Sequence, residues 1–488
     1  MKVKWMGKAI TSLAAVTLLT PLGTIEACTT VLVGKKASAD GSTMIARNED
    51  MGTAWTKRFV VYPAGKNKET KYKSKANGFT TDIPKDRLKV TATPEWDESE
   101  GQFDEAGINS AGVAMSGTES AEANEAILKV DPFVETGIAE DSMNAVVLPY
   151  IKTAREGVER LGQIVEKEGA AEANGLMFSD KDEIWYMEIG SGHQWVAYRL
   201  PDDHYAVVAN QLAIETVNFD DSDHFMMSKD LKETAIKAKQ YKEGDPFVFE
   251  KIYGVNREED KYYNLPRVWY GQKMLTPSLK QDVKQDDFAF SVKPDKKISV
   301  EDVQKVLSAH YQDTEYDYRK NPKAQFRPMN VPHTMESHIL QIRPDMPNEI
   351  AGIHWLALGV PETSVYVPFY SGITETPKPY QKGTDNISDG GAYWTFRGVD
   401  ALANFNYETA LNELIQPEKD QLIKDFNKDL DKTDKEAMKM KEGKERDEYL
   451  TKVSQKRSEK AISAWNTLYS KLMKMITNET KVYHNPKL

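Results

Sequence analysis

Apolar and β-branched residues crowd into Thr29–Gly34 (TTVLVG), which predicts a buried strand. Ala39-Asp40-Gly41-Ser42 has the chemistry of a turn, and Thr43 to Ala46 resumes the strand, so 29–46 reads as a hairpin with residues 29 and 46 paired. Gly107 to Gly117 (GINSAGVAMSG) predicts a turn at Asn-Ser-Ala-Gly before a strand of small residues. From Ser142 to Glu168 the pattern is helical. Leu148, Ile151, Val158, Leu161 and Val165 fall on one side, Gly169 is the stop, and Pro149 predicts a late start or a kink. Gly175–Ser179, Glu183–Ile189, Gln194–Arg199 and Tyr205–Asn210 read as four short strands in a meander. Ile339–Ile342, Ile350–Leu358 and Ser364–Val367 form a further strand group. Helical patterns between strand clusters predict a layered mix of helices and antiparallel sheets.

Beyond about Phe405, Gly and Pro thin out and Lys, Glu and Asp become dense. Leu422, Phe426 and Leu430, then Ala461, Trp465, Leu468 and Leu472, recur at helical spacing, so 406–488 reads as a charged amphipathic helical extension packed on a domain of residues 28–405. A partner-binding coiled coil is the alternative reading of the same pattern.

The first residues have a different logic. Lys2, Lys4 and Lys8 precede a mostly apolar stretch from Ala9 to Leu22, and Gly23 to Ala27 follows with a small residue before Cys28. A stretch this short does not span a bilayer, which takes about 20 residues. Residues 1–27 therefore read as a secretory signal peptide, which predicts a secreted or cell-surface protein; an uncleaved N-terminal anchor is the alternative reading. No later run is apolar enough to predict a membrane span.

Composition narrows the chemistry. Lys and Arg number 64 against 75 Asp and Glu, a net charge of −11, which disfavours nucleic acid as a partner because phosphate would be repelled. The acidic surface and C-terminal helices permit a homo-oligomer. There is 1 cysteine, so neither an intramolecular disulfide nor a zinc site built on two cysteines can form. His333-Thr-Met-Glu336-Ser-His338 lacks the i, i+4 histidine spacing of a helical zinc motif. No Gly-x-Ser-x-Gly elbow occurs.

Cleavage after Ala27 makes that single cysteine, Cys28, the first residue. Two chemistries fit. Cys28 is an N-terminal nucleophile, or it is the acylated cysteine of a lipoprotein; Glu26 stands where the latter wants a small residue. A nucleophilic thiol needs a base, since its free pKa is about 8.5. An N-terminal residue carries one, an α-amine of pKa about 7.7–8. If the 29–46 hairpin closes, Arg47-Asn48-Glu49-Asp50 returns beside Cys28. Arg47 could then stabilise thiolate and Asp50 hold the α-ammonium; the alternative is a surface turn.

Cys28-Thr-Thr, Asp40-Gly41-Ser42 and Arg47-Asn48-x-Asp50, taken in order, resemble the start of the N-terminal-nucleophile (Ntn) cysteine hydrolases. The closer resemblance is to the C69 dipeptidases of Gram-positive bacteria, and the more distant one to bile salt hydrolases and penicillin V acylases. Gly107 to Ala114, Thr118-Glu119-Ser120, Pro201-Asp202-Asp203 through Ala209-Asn210-Gln211, Arg267-Val268-Trp269, and Glu336-Ser337-His338 through Val367-Pro368 extend it along the chain. The resemblance implies an α+β fold, a four-layer αββα sandwich of antiparallel sheets, and hydrolysis of dipeptides through a Cys28 thioester, with no metal or cofactor. It implies that Cys28 is the nucleophile, Arg47 and Asp50 the pair beside it, Asn210 an oxyanion-hole residue and Arg267 a later active-site arginine. Where the bile salt hydrolases carry an amide after Thr118, this chain has Glu119, which suggests either a carboxylate that reads the free ammonium of a dipeptide or a structural carboxylate near the site. An acylase on the same scaffold, or a lipid-anchored protein that binds peptides without catalysis, are the competing readings.

Overall fold

The computed structural model describes residues 28–479, with the side chains of Thr118 and Glu119 left out. The leader reading and the Glu119 carboxylate therefore lie outside the described residues. The chain is a mixture of helices and antiparallel sheets with a C-terminal helical region.

The first hairpin pairs strands β1 (Thr29–Val33) and β2 (Thr43–Asp50). Its connection turns at Gly41, whose φ of 82° suits glycine, while Asp40 accepts the Ser42 N–H. The register differs from the expected one: Thr29 faces Asn48, and Ala46 faces Val31. A shift of two residues preserves the faces of both strands, so Arg47 still points the way that Ile45 does. Three short two-stranded ribbons fill 60–92.

Next come β3 (Ala106–Ile108) and β4 (Ala114–Ser120), joined by the Asn109–Gly112 turn. The helical stretch breaks near Pro149 into α1 (Glu140–Val147), a 3-10 turn at Leu148–Tyr150, and α2 (Ala154–Glu168). Strands β5 (Asn174–Ser179), β6 (Ile184–Ile189) and β7 (Trp195–Arg199) form a meander. The expected fourth member, β8 (Tyr205–Val208), crosses to the other sheet and pairs with β1. A local pattern could not reveal this, because alternation is the same in either sheet. After β9 (Phe225–Met227), helix α3 (Leu265–Leu275), β10 (Ser291–Val292) and α4 (Val300–Leu307), the chain forms β11 (Thr334–Ile342), β12 (Gly352–Leu358) and β13 (Val367–Tyr370). Helices α5 (Ala392–Ala403), α6 (Gln416–Ala437) and α7 (Lys444–Glu479) complete it.

One sheet has the order β10-β8-β1-β2-β11-β12-β13 and the other β9-β7-β6-β5-β4-β3. Strand alternation distributes the core among three places. Leu32, Ile45, Val208 and Leu340 of the first sheet meet Ala114, Met177 and Tyr186 of the second. Met115, Phe178 and Trp185, on the other face of the second sheet, pack against Val147, Val158 and Leu161 of α1 and α2. Val31, Ala46 and Ile339, on the other face of the first, meet Val268 of α3, Val306 of α4 and Phe396 of α5. The same core takes in Phe426 of α6 and Trp465 of α7, so the C-terminal helices share a core with the central sheet.

Candidate active site

Cys28 immediately precedes β1 and is buried. Arg47, on the neighbouring strand, points with Ile45 into the space between the sheets. Its Nη1 donates to the Cys28 sulfur at 3.2 Å. Its Nη2 donates to the Gly117 carbonyl at 2.9 Å and to the Glu105 carboxylate, both from the facing sheet side. Burial alone would disfavour the Arg47 cation, but Cys28 and Glu105 outweigh it and hold its pKa well above the ordinary arginine value.

A second arginine grips the other end of Cys28. Arg267 lies in the first turn of α3 and is fully buried. Its Nη1 donates to the Cys28 carbonyl at 2.5 Å and to Thr29 Oγ1 at 3.0 Å. Its Nη2 donates to Asn210 Oδ1 at 2.8 Å and Asn264 Oδ1 at 2.7 Å, and its Nε to the Tyr263 carbonyl at 2.8 Å. A guanidinium only donates, so the oxygen end of the Asn210 amide faces it and the amino end faces the opposite way. Asn264 also donates to the Asn210 main-chain carbonyl at 3.1 Å, which fixes the backbone just beyond β8.

Asp50, at the end of β2, accepts from Arg327 Nη2 at 2.6 Å and from the Thr334 hydroxyl. The Arg327 guanidinium lies over the Tyr263 ring, 5.2 Å from its centroid. Burial opposes its charge, yet Asp50 and then Tyr263 raise its pKa, with a smaller contribution from Cys28, so Arg327 is within electrostatic reach of the sulfur.

The structure thus brings Cys28, Arg47, Asn210 and Arg267 into one set of contacts, with Asp50 joined through Arg327. Glu119 pairs through its backbone with Gly175, after a register shift beyond Gly117. Glu105, Arg327, Asn264 and Tyr263 are not apparent from the sequence. Asn264 alone had a local signal, since it stands three residues before Arg267 on one helical face. Arg327 sits in an irregular segment, and no periodicity marks it.

Opposite Arg47 on the neighbouring strand, His338 adds a buried polar group to the otherwise apolar space between the sheets. His338 shares its Nδ1 with Glu336 at 2.7 Å and its Nε2 with Ser116 Oγ at 2.8 Å, all three fully buried. The segment that failed as a helical metal motif is a strand, where Glu336 and His338 lie on one face and bond each other. Burial opposes the charge on Glu336, but His338 beside it holds its carboxyl below the usual range. Buried Lys57 pairs with Glu49 at 2.8 Å.

Comparison with known proteins places this geometry in context. The family model "Peptidase family C69" matches residues 27–420. The chain is 44% identical over 404 residues to a probable dipeptidase of Latilactobacillus sakei, covering 80% of this chain and 85% of that one. It is 39% identical over 458 residues to probable dipeptidase B of Lactococcus lactis, covering 91% and 95%. It is 38% identical over 443 residues to dipeptidase A of Lactobacillus helveticus, covering 88% and 93%.

Proposed function

The chain belongs to peptidase family C69, and we propose that it is an exported cysteine dipeptidase whose nucleophile is Cys28. Relatives named dipeptidases support dipeptides as the substrate class. We read the two facing sheets, with helices on both outer faces, as the αββα sandwich of the Ntn hydrolases. Removal of residues 1–27 during export would leave Cys28 with a free α-amine, and Asp50 would orient the resulting ammonium.

The observation that carries this reading is the Arg47 guanidinium 3.2 Å from the Cys28 sulfur. The α-amine takes the thiol proton, and Arg47 stabilises the thiolate. Sulfur attacks the peptide carbonyl to give a tetrahedral oxyanion, held by the amino end of Asn210; one such donor is worth about 2.7–4 kcal/mol. Collapse passes the proton from the ammonium to the leaving amino acid and leaves a thioester, which water hydrolyses. Glu119 receives the free ammonium of the dipeptide.

The test is a pure Cys28→Ala preparation together with the intact mass of the exported protein. The expected results are no dipeptidase activity and a mass for residues 28–488. Residual activity in the variant, or a lipid on Cys28, overturns the mechanism.

A further inference from the structure

The segment Phe103–Glu105 is held in a conformation that side chains disfavour. Phe103 has φ of 47° and Glu105 has φ of 33°, both in the left-handed region. The surroundings impose this conformation. Lys57 Nζ donates to the Phe103 carbonyl at 3.2 Å, Tyr62 donates to the Asp104 carboxylate at 3.0 Å, and Gly117 N–H donates to the Glu105 carbonyl at 3.0 Å. Two residues on, Gly107 lies so close to the Thr91 carbonyl that a Cβ would sit 2.0 Å from it. What this strain achieves is to bring the Glu105 carboxylate onto the Arg47 nitrogen Nη2, while Nη1 of the same guanidinium reaches the Cys28 sulfur.

From this arrangement we infer that Glu105 is a positioning residue, which fixes the Arg47 guanidinium against the nucleophile and tempers its charge there. The inference rests on the reading of Cys28 as the nucleophile. Other ionisable groups surround Glu105, and they are arranged differently. Lys57 is engaged by Glu49 at 2.8 Å. Burial pushes the carboxyls of Glu95, Asp104 and Asp141 above their ordinary values. Glu105 is in direct ion-pair contact with Arg47. A planar guanidinium gripped at one nitrogen by a carboxylate and a carbonyl has its other nitrogen aimed in a fixed direction. The same carboxylate cancels part of the cation's field at sulfur. An uncompensated arginine would lower the thiol pKa further but would also make the thiolate a weaker nucleophile.

The two roles of Glu105 act on the thiol in opposite directions, so two variants separate them. Glu105→Gln keeps an acceptor for Arg47 and removes the negative charge. Glu105→Ala removes both. The thiol pKa is read from the pH dependence of alkylation by iodoacetamide, and kcat and KM are measured on Leu-Leu. In Glu105→Gln the thiol pKa should fall by about one unit. In Glu105→Ala it should rise by a similar amount, with kcat down at least tenfold and KM nearly unchanged. If both variants shift the same way, or neither shifts, Glu105 is only a counter-ion for a buried arginine. If the Ala variant does not fold, Glu105→Asp takes its place: it keeps the charge and shortens the reach to Arg47, so a rise in thiol pKa supports the inference, and no shift or a fall overturns it. Alkylation reports on the thiol without requiring turnover. If alkylated wild-type protein stays active, Cys28 is not the nucleophile, and that failure is distinct from an unshifted thiol.

Discussion

Replacing Arg267 by lysine keeps the charge and removes the geometry. The guanidinium serves the Cys28 carbonyl, Thr29 Oγ1, Asn210 Oδ1, Asn264 Oδ1 and the Tyr263 carbonyl. An ammonium has three donors, so at least two of these buried acceptors lose their partner. Each buried group left unpaired costs about 1–3 kcal/mol, which predicts a loss of about 2–6 kcal/mol of stability. The Asn210 amide, no longer held through its oxygen, would leave the oxyanion with one donor fewer, and kcat should fall about 10²–10³-fold. Urea unfolding followed by circular dichroism measures the first quantity, and steady-state kinetics on a dipeptide the second. Because Arg267 is proposed to act through Asn210, the double variant Arg267→Lys, Asn210→Ala should lose little more activity than Arg267→Lys alone. A lysine variant within about 0.5 kcal/mol of wild type that keeps most of its activity would refute the argument that five directed bonds, not one positive charge, are what this position requires.

Glu119→Gln should depress turnover of free dipeptides much more than of N-acetylated ones; equal loss on both would mean that Glu119 does not read the amine. Burial raises the Asp104 carboxyl to about 7. A group whose folded value lies above its unfolded one holds its proton more tightly in the native state, so it costs stability as pH rises from about 4 to 7. Asp104→Asn removes that cost, and the variant's Tm advantage over wild type should grow by about 2 °C or more between pH 5 and 8; an advantage that does not change with pH would contradict the assignment. Trp465 of α7 is fully buried and donates from Nε1 to the Thr363 carbonyl at 3.1 Å. Trp465→Ala should cost about 3–5 kcal/mol in urea unfolding, and a loss under about 1 kcal/mol would show that α7 does not close the core.

Local pattern was a good guide wherever one element decided its own fate. The β1–β2 hairpin, the break at Pro149, the Gly169 stop and the apolar stripes of α6 and α7 all follow from residues within a few positions of each other. The order of short motifs along the chain also carried the family, and it singled out Cys28, Arg47, Asn210 and Arg267, which the fold brings into one set of contacts. What the sequence could not hold was anything set by two distant segments meeting. The transfer of β8 to the other sheet, the two-residue register of the first hairpin, and the pairing of Asp50 with Arg327 depend on which surfaces pack together. Glu105 is the clearest case. Its role comes from strain imposed by Lys57, Tyr62 and Gly117, which lie 12 to 48 positions away in the chain. A pattern of polar and apolar positions records which face is buried. Only the assembled core decides which buried charge meets which, because that choice is made by packing and by the need to pair each ion once water is gone.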